Sequence, residues 1–194
     1  MSGEYRQDSQ VVNNFFTLVS IIIIAIVITL YSKYGPKVKT PSRVHSNLEC
    51  QKTTSTIDKI TSPALLKDAK HYMENGLYVL SGGFIKPRFG KFYLKDKITL
   101  EEANDFFKSK IAIVQKENPV KYLKIKYEII ENDKNDPRKK DTYSKSYAGA
   151  ILSSFRINGK EAFMMKTDFL EYDKKDIKNR IDCIVEAFKH NAKY

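Results

Sequence analysis

The sequence predicts an α+β chain: a single apolar helix near the N-terminus, then one small domain with helices packed on a mostly antiparallel sheet. Three observations carry that expectation. Residues 15–31, FFTLVSIIIIAIVITLY, contain no charge. Residues 120–130 alternate, with Leu123, Ile125, Tyr127 and Ile129 on one face and Tyr122, Lys124, Lys126 and Glu128 on the other, as in a half-buried strand. Asn158-Gly159 lies between two further strand-like runs and is a preferred type I′ hairpin dipeptide.

The apolar run is read as a transmembrane helix. At about 1.5 Å per residue it reaches roughly 25 Å, a little short of a ~30 Å hydrocarbon core. Adding Val11 to Asn14 brings it close to full thickness, with Asn13 and Asn14 near the headgroups. Tyr31 and Tyr34 fall where interfacial aromatics belong, and Gly35-Pro36 ends the helix. Residues 1–14 form a short polar tail. A cleaved signal peptide fits poorly, because Arg6 is offset by Glu4 and Asp8 and no A-x-A follows. The stretch FFTLVSIIIIAIVITL also resembles the N-terminus of type IV pilins. Asn14 stands for the glycine before the pilin cleavage point and a serine for the pilin glutamate, and Gly35-Pro36 cuts short the long pilin helix. The reading taken is a plain anchor. Arg6 on one side against Lys33, Lys37, Lys39 and Arg43 on the other favours a cytoplasmic C-terminal domain. The exterior or periplasmic side is the alternative, because the whole chain is basic.

Residues 32–61 are rich in Ser, Thr, Pro and Lys and read as a basic juxtamembrane linker. The globular domain is expected over 62–194, in the order α-β-β-α-β-β-β-α. Ser62 caps a first helix with Pro63 at its first position, and Asn75-Gly76 closes it. Residues 77–85 read as a strand, where Gly82-Gly83 signals a bulge or close backbone approach. Residues 89–94 read as a second strand. Thr99 to Glu102 has the form of a capping box, and the helix behind it carries Ala103, Phe106, Phe107, Ile111 and Val114 before Asn118-Pro119 stops it. After the strand at 120–130 comes a charged loop at 131–146, then strands at 147–157 and 161–172. Asp173 caps a last helix with the face Ile177, Ile181, Ile184, Val185 and Phe188. No internal repeat and no second domain is visible.

The chain has 194 residues, 34 of them Lys or Arg and 23 Asp or Glu, for a net charge of +11. Five of those basic residues and two of the acidic ones precede Ser46, so the remainder carries +8. A lysine excess of this kind suits a solvated surface, or attraction to anionic lipid or nucleic acid. The two cysteines, Cys50 and Cys183, form no C-x-x-C and no Cys/His cluster, so no structural zinc site is expected. In a reducing compartment they are plain thiols; in an oxidising one they can pair and tie the start of the domain to its last helix.

Catalytic motifs are missing. There is no nucleophile elbow and no H-E-x-x-H, and His45, His71 and His190 are scattered. GFIKPRFGK ends in Gly-Lys but spaces its glycines wrongly for a phosphate loop and puts Phe92 where Ser or Thr would bind magnesium. Two stretches interleave cations with aromatics: KPRFGKFYLK, with Lys86, Arg88, Lys91 and Lys95, and KYLKIKY, with Lys121, Lys124 and Lys126. RFGKFY resembles the longer RNP motif of RNA-binding sheets, with its order broken and the second motif missing. Together with Arg138, Lys139 and Lys140 these are the candidate contacts to an anionic surface; the competing reading puts the aromatics in the core and the lysines in water. The expected function is a single-pass, membrane-anchored, non-catalytic structural or assembly component that binds a protein partner. The alternative is a tethered basic domain binding lipid headgroups or nucleic acid. No cofactor, metal or small-molecule substrate is inferred.

Overall fold

The computed structural model describes residues 16–30, 48–117 and 119–193. The chain divides into two units, residues 1–40 and 41–194. In the first, residues 16–30 form helix α1, whose side chains are exposed except for a half-buried Val19. Two of its hydroxyls turn back on their own helix: Ser20 Oγ donates to the Phe16 carbonyl at 2.8 Å and Thr29 Oγ1 to that of Ala25 at 2.7 Å. Among the described residues no helix is long and apolar enough to cross a membrane. The expected polar tail, the ends of the expected span at Phe15 and Tyr31, the Gly35-Pro36 stop and His45 lie outside the described residues.

The second unit is α+β. Its elements are α2 (Glu49–Lys52), β1 (Thr56–Ile60), α3 (Pro63–Glu74), β2 (Tyr78–Ile85), a 3-10 turn (Leu94–Asp96), α4 (Leu100–Ile111), β3 (Leu123–Glu131), α5 (Tyr143–Ser146), β4 (Gly149–Ile157), β5 (Lys160–Phe169) and α6 (Lys174–Asn191). The five strands form one mixed sheet in the order β1-β5-β4-β3-β2. Three pairings are antiparallel, and β2 runs parallel to β3.

Local signals explain most element ends. The Ser62 hydroxyl accepts the Leu65 N–H at 3.4 Å with Pro63 at the first position of α3, and Gly76 closes it at φ +71°. Thr99 and Glu102 form a capping box on α4, bonding at 3.2 and 3.0 Å. Asn158 and Gly159 both take positive φ, 48° and 76°, as a type I′ turn requires. Asp173 sits at the N-cap of α6 without a side-chain cap bond; Asp176 instead accepts the backbone N–H groups of Leu170 and Glu171. Helix α4 ends earlier than its apolar pattern suggests. Ala112 turns left-handed at φ 58°, and Lys189 Nζ donates to the last carbonyls, of Lys110 and Ile111, at 3.1 Å. Val114 is therefore outside the helix and 89% exposed.

Two expectations about strands need correction. Residues 56–60, inside the stretch read as linker, are the edge strand β1, paired to β5 from Thr56↔Thr167 to Ile60↔Phe163. Residues 89–94 are not a strand. The buried Glu131 accepts the N–H groups of Tyr93 and Leu94 at 2.9 Å, and Asp133 those of Arg88 and Phe89 at 2.6–2.7 Å. Carboxylates at the end of β3 thus take the donors that a strand would offer a neighbour. The chain then crosses over through α4 and enters β3 beside β2 in parallel, so the sheet is mixed.

The core lies between one sheet face and the three long helices. Leu66, Ala69 and Met73 of α3, Ala103, Phe107 and Ile111 of α4, and Ile177, Ile181, Ile184 and Phe188 of α6 meet Tyr78, Ile125, Tyr127, Phe155, Phe163 and Met165. Phe155 stacks on Phe188 with ring centroids 4.3 Å apart. Cys50 and Cys183 are joined in a disulfide that ties α2 to α6, with their Cα atoms 5.7 Å apart. Arg180 Nη1 adds bonds to Thr53 Oγ1 at 2.7 Å and Thr54 Oγ1 at 3.1 Å.

Gly82 makes no bulge but does serve a close approach. A Cβ there would fall 2.3 Å from the ring of Tyr127, its register partner on β3. Gly82→Ala is expected to lower unfolding stability by about 1–3 kcal/mol through overpacking. Urea denaturation followed by circular dichroism measures it, and the loss should shrink in a Tyr127→Leu background, where the ring is gone.

Candidate functional site: the open face of the sheet

With the helices on one face, the other face of the sheet is built from the alternate residues of each strand. The register aligns them in rows. Ile85, Ile130, Ala150 and Asp168 form one end; Gly83, Glu128, Leu152, Lys166 and Ile57 follow; then Ser81, Lys126, Ser154, Met164 and Lys59. The last row is Val79, Lys124 and Arg156, with Glu161 beside it at the bulge. The face is mixed: Ile57 is half exposed, Leu152 and Met164 are half-buried, and Lys124 and Lys126 point into water.

The structure separates the candidate cations. Lys86, Arg88, Arg138 and Lys139 line a hollow of about 290 Å³ at the end of β2 and β3, joined by Lys166. Lys121, Lys124 and Lys126 line a second hollow of about 620 Å³ at the other end of β3, joined by Arg156, Asn158 and Gly159. Six residue steps of strand from Lys124 to Ile130 hold the two ends about 20 Å apart. Lys91, Lys95 and Lys140 are exposed and line neither hollow.

The first hollow is largely self-satisfied. Glu131, Asp133 and Asp136 line it as well. Arg138 forks onto Asp136 with Nη2 to Oδ2 at 2.7 Å, and that hydrogen-bonding holds the Asp136 carboxyl down at about 2. Lys139 donates to Asn132 Oδ1 and lies over the Tyr147 ring. Lys86 lies over Phe92, Arg88 over Phe89 and Lys91 over Tyr93, at 5.4–5.8 Å. These cation–aromatic pairs sit on an irregular segment, so the likeness of RFGKFY to a base-stacking strand has no strand to stand on.

No carboxylate lines the second hollow. Lys126 pairs with Glu128 at 2.9 Å, and Glu161 accepts the Ser154 hydroxyl at 2.7 Å. Lys121, Lys124 and Arg156 make no ion pair among the described residues. Arg156 is held in place by its own turn, with Nη2 donating to the Gly159 carbonyl at 2.6 Å. Lys124 and Arg156 are direct cross-strand partners. Arg156 was not singled out from sequence; its place two residues before Asn158-Gly159 was the available signal.

Among the described residues no group of three or more His, Cys, Asp or Glu side chains is placed to hold a metal ion. No family model, no curated protein and no solved structure matches the chain.

Asp168 closes the acidic end of the open face. It is buried beside Tyr143 and Lys166, and burial raises its carboxyl above the ordinary range. A raised carboxyl favours the folded state only while protonated. That contribution is complete below the unfolded pKa and is lost as pH rises through the folded one. Asp168→Asn is therefore expected to raise stability at neutral pH and to leave it unchanged in acid. Thermal unfolding of both forms across pH 3–8 checks this, and equal curves at neutral pH would contradict it.

Proposed function

We propose that this chain is a membrane-anchored scaffold. Its helix α1 sits in a bilayer, and its disulfide-stapled domain holds a protein partner on the open face of the sheet. The observation that carries the reading is that the domain's three long helices, α3, α4 and α6, pack on one side of the sheet, leaving a mixed apolar and basic face that none of them covers. The partner that fits is an apolar strip bordered by carboxylates, set against Ile57, Leu152 and Met164 between Lys59, Lys126 and Lys166.

The anchor is supported by the exposed apolar surface of α1 and by hydroxyls satisfied within the helix, as hydrocarbon demands. The described fifteen residues reach about 22 Å, so a full span draws on the neighbouring apolar positions of the sequence. The disulfide supports an oxidising compartment for the domain, against the direction of the flanking charges. A non-catalytic role is supported by the structural use of several acids: the buried Glu131 and the half-buried Asp133 hold a backbone segment, and the half-buried Asp176 holds the entry to α6.

Two measurements test this. A photoreactive residue at Leu152 or Met164 is expected to give one adduct of discrete mass in the host membrane, and one at Asp105 on α4 none. No adduct from either sheet position would sink the partner reading. In intact cells, an impermeant maleimide is expected to label Cys50 and Cys183 only after reduction. Labelling that needs lysis but no reductant would place the domain in the cytoplasm.

A further inference from the structure

The second hollow does not stand alone. Val120, Lys121 and Tyr122, at the end of the connection from α4 to β3, line it, and Tyr122 also lines a neighbouring hollow containing Val114, Lys116, Glu117 and Pro119. This connection is pinned at its backbone. The Tyr78 hydroxyl donates to the Ile113 carbonyl at 2.9 Å, and the Lys116 N–H to that of Gly76 at 2.9 Å. Ile113 packs against the core, but two of the connection's apolar side chains face outward: Val114 is 89% exposed and Val120 97%. Nothing in the local fold uses them. Beside Val120 stand Lys121, Lys124 and Arg156, with no carboxylate in the lining and no ion pair among the described residues.

Exposed apolar tips set beside unpaired cations, with a half-exposed tyrosine between them, match the interface of a phospholipid bilayer. Valine enters the acyl boundary, tyrosine sits at headgroup depth, and lysine and arginine take the phosphates. A soluble polyanion would satisfy the cations and leave both valines in water. We propose that this end of the domain docks on anionic phospholipid headgroups, with Val114 and Val120 inserted and Lys121, Lys124 and Arg156 on phosphate oxygens. In an anchored chain this is a second point of membrane contact. It rests on the anchor reading only for the domain's nearness to the bilayer.

The chain contains no tryptophan, so Val120→Trp introduces a unique reporter at a position that packs against nothing. The full chain carrying it would be reconstituted in nanodiscs of phosphatidylcholine, with or without phosphatidylglycerol. The acyl chains would be brominated near the headgroup. In anionic discs the emission is expected to shift to the blue and to be quenched; in neutral discs it stays water-like. About 0.5 M salt, where the screening length falls to about 4 Å, should reverse the quenching. Each cation removed should lower the docked-to-free ratio about fivefold, so Lys121→Gln, Lys124→Gln and Arg156→Gln together lower it about a hundredfold. Water-like emission in anionic discs at low salt overturns the proposal. So does quenching that ignores lipid charge and the triple variant, or a blue shift produced by inorganic polyphosphate and not by the bilayer. Flotation of the unsubstituted chain with neutral vesicles after an alkaline wash reports the anchor separately. Should flotation fail, the reporter is read with anionic vesicles added to the chain, and the docking test stands.

Discussion

Tyr127 rests its ring on the bare backbone of Gly82, and the domain's architecture depends on that contact. The ring lies between neighbouring parallel strands and under α4, 4.7 Å from the Phe107 ring. Its hydroxyl donates to Asn104 at 2.8 Å and lies 3.2 Å from the Leu100 carbonyl, so the buried phenol is satisfied by the helix that makes the crossover. Burial pushes that phenol up to about 12, which keeps it neutral and a donor at any physiological pH. One side chain thereby sets the β2–β3 pairing and the seat of the helix between them. A glycine is required on the facing strand because the ring occupies the space of a Cβ.

The second constraint acts at the other edge of the sheet. Strand β1 has five residues, is paired on one side only, and carries Asp58 and Lys59. So short and polar an edge is marginal alone. The Cys50–Cys183 disulfide closes a loop of 133 residues just upstream, a link of the kind worth about 2–5 kcal/mol. Arg180 reinforces it through Thr53 and Thr54, while Asp176 orients the guanidinium at 3.0 Å. Asn191 reaches Asp58 at 3.2 Å from the far end of α6. Helix α6 therefore holds the approach to β1 through Cys183 and Arg180, and the middle of the strand through Asn191.

What was legible in the sequence follows from how locally each feature is encoded. Caps, the capping box, the Asn-Gly turn and the alternation of β3 are each decided within a few residues, and each appears where its pattern placed it. The strand misses are long-range. TIDKI carries no strand pattern because its pairing is won by a disulfide and by buried partners from α6, more than a hundred residues away. Residues 89–94 carry a good strand pattern, yet Glu131 and Asp133 capture their backbone donors from about forty positions downstream. Parallel pairing of β2 and β3 is invisible to alternation, which is the same in either direction. At the candidate surface, every cation was legible as a residue type, but not which ones the fold would neutralise.

That last distinction decides what the surface offers a partner. Although Lys139, which donates to the neutral Asn132, keeps its charge, Arg138 is paired with Asp136, and Glu131 and Asp133 line the same hollow, so the field of the richest basic run in the sequence is partly offset. Lys124 and Arg156 do the reverse. They stand directly opposite each other across two strands, an arrangement that costs stability when like charges face one another. Water and salt screen the pair on an exposed face, which keeps the cost small, but no acid within the hollow removes it. An anion bound between the two side chains would turn that repulsion into attraction on both sides at once. Among the described residues the fold thus sets Lys121, Lys124 and Arg156 together without an ion pair, beside the exposed Val120, with Val114 in the adjoining hollow. Such a juxtaposition contributes nothing to the core. Its physical effect is to favour contact with a surface that is apolar and anionic at the same depth.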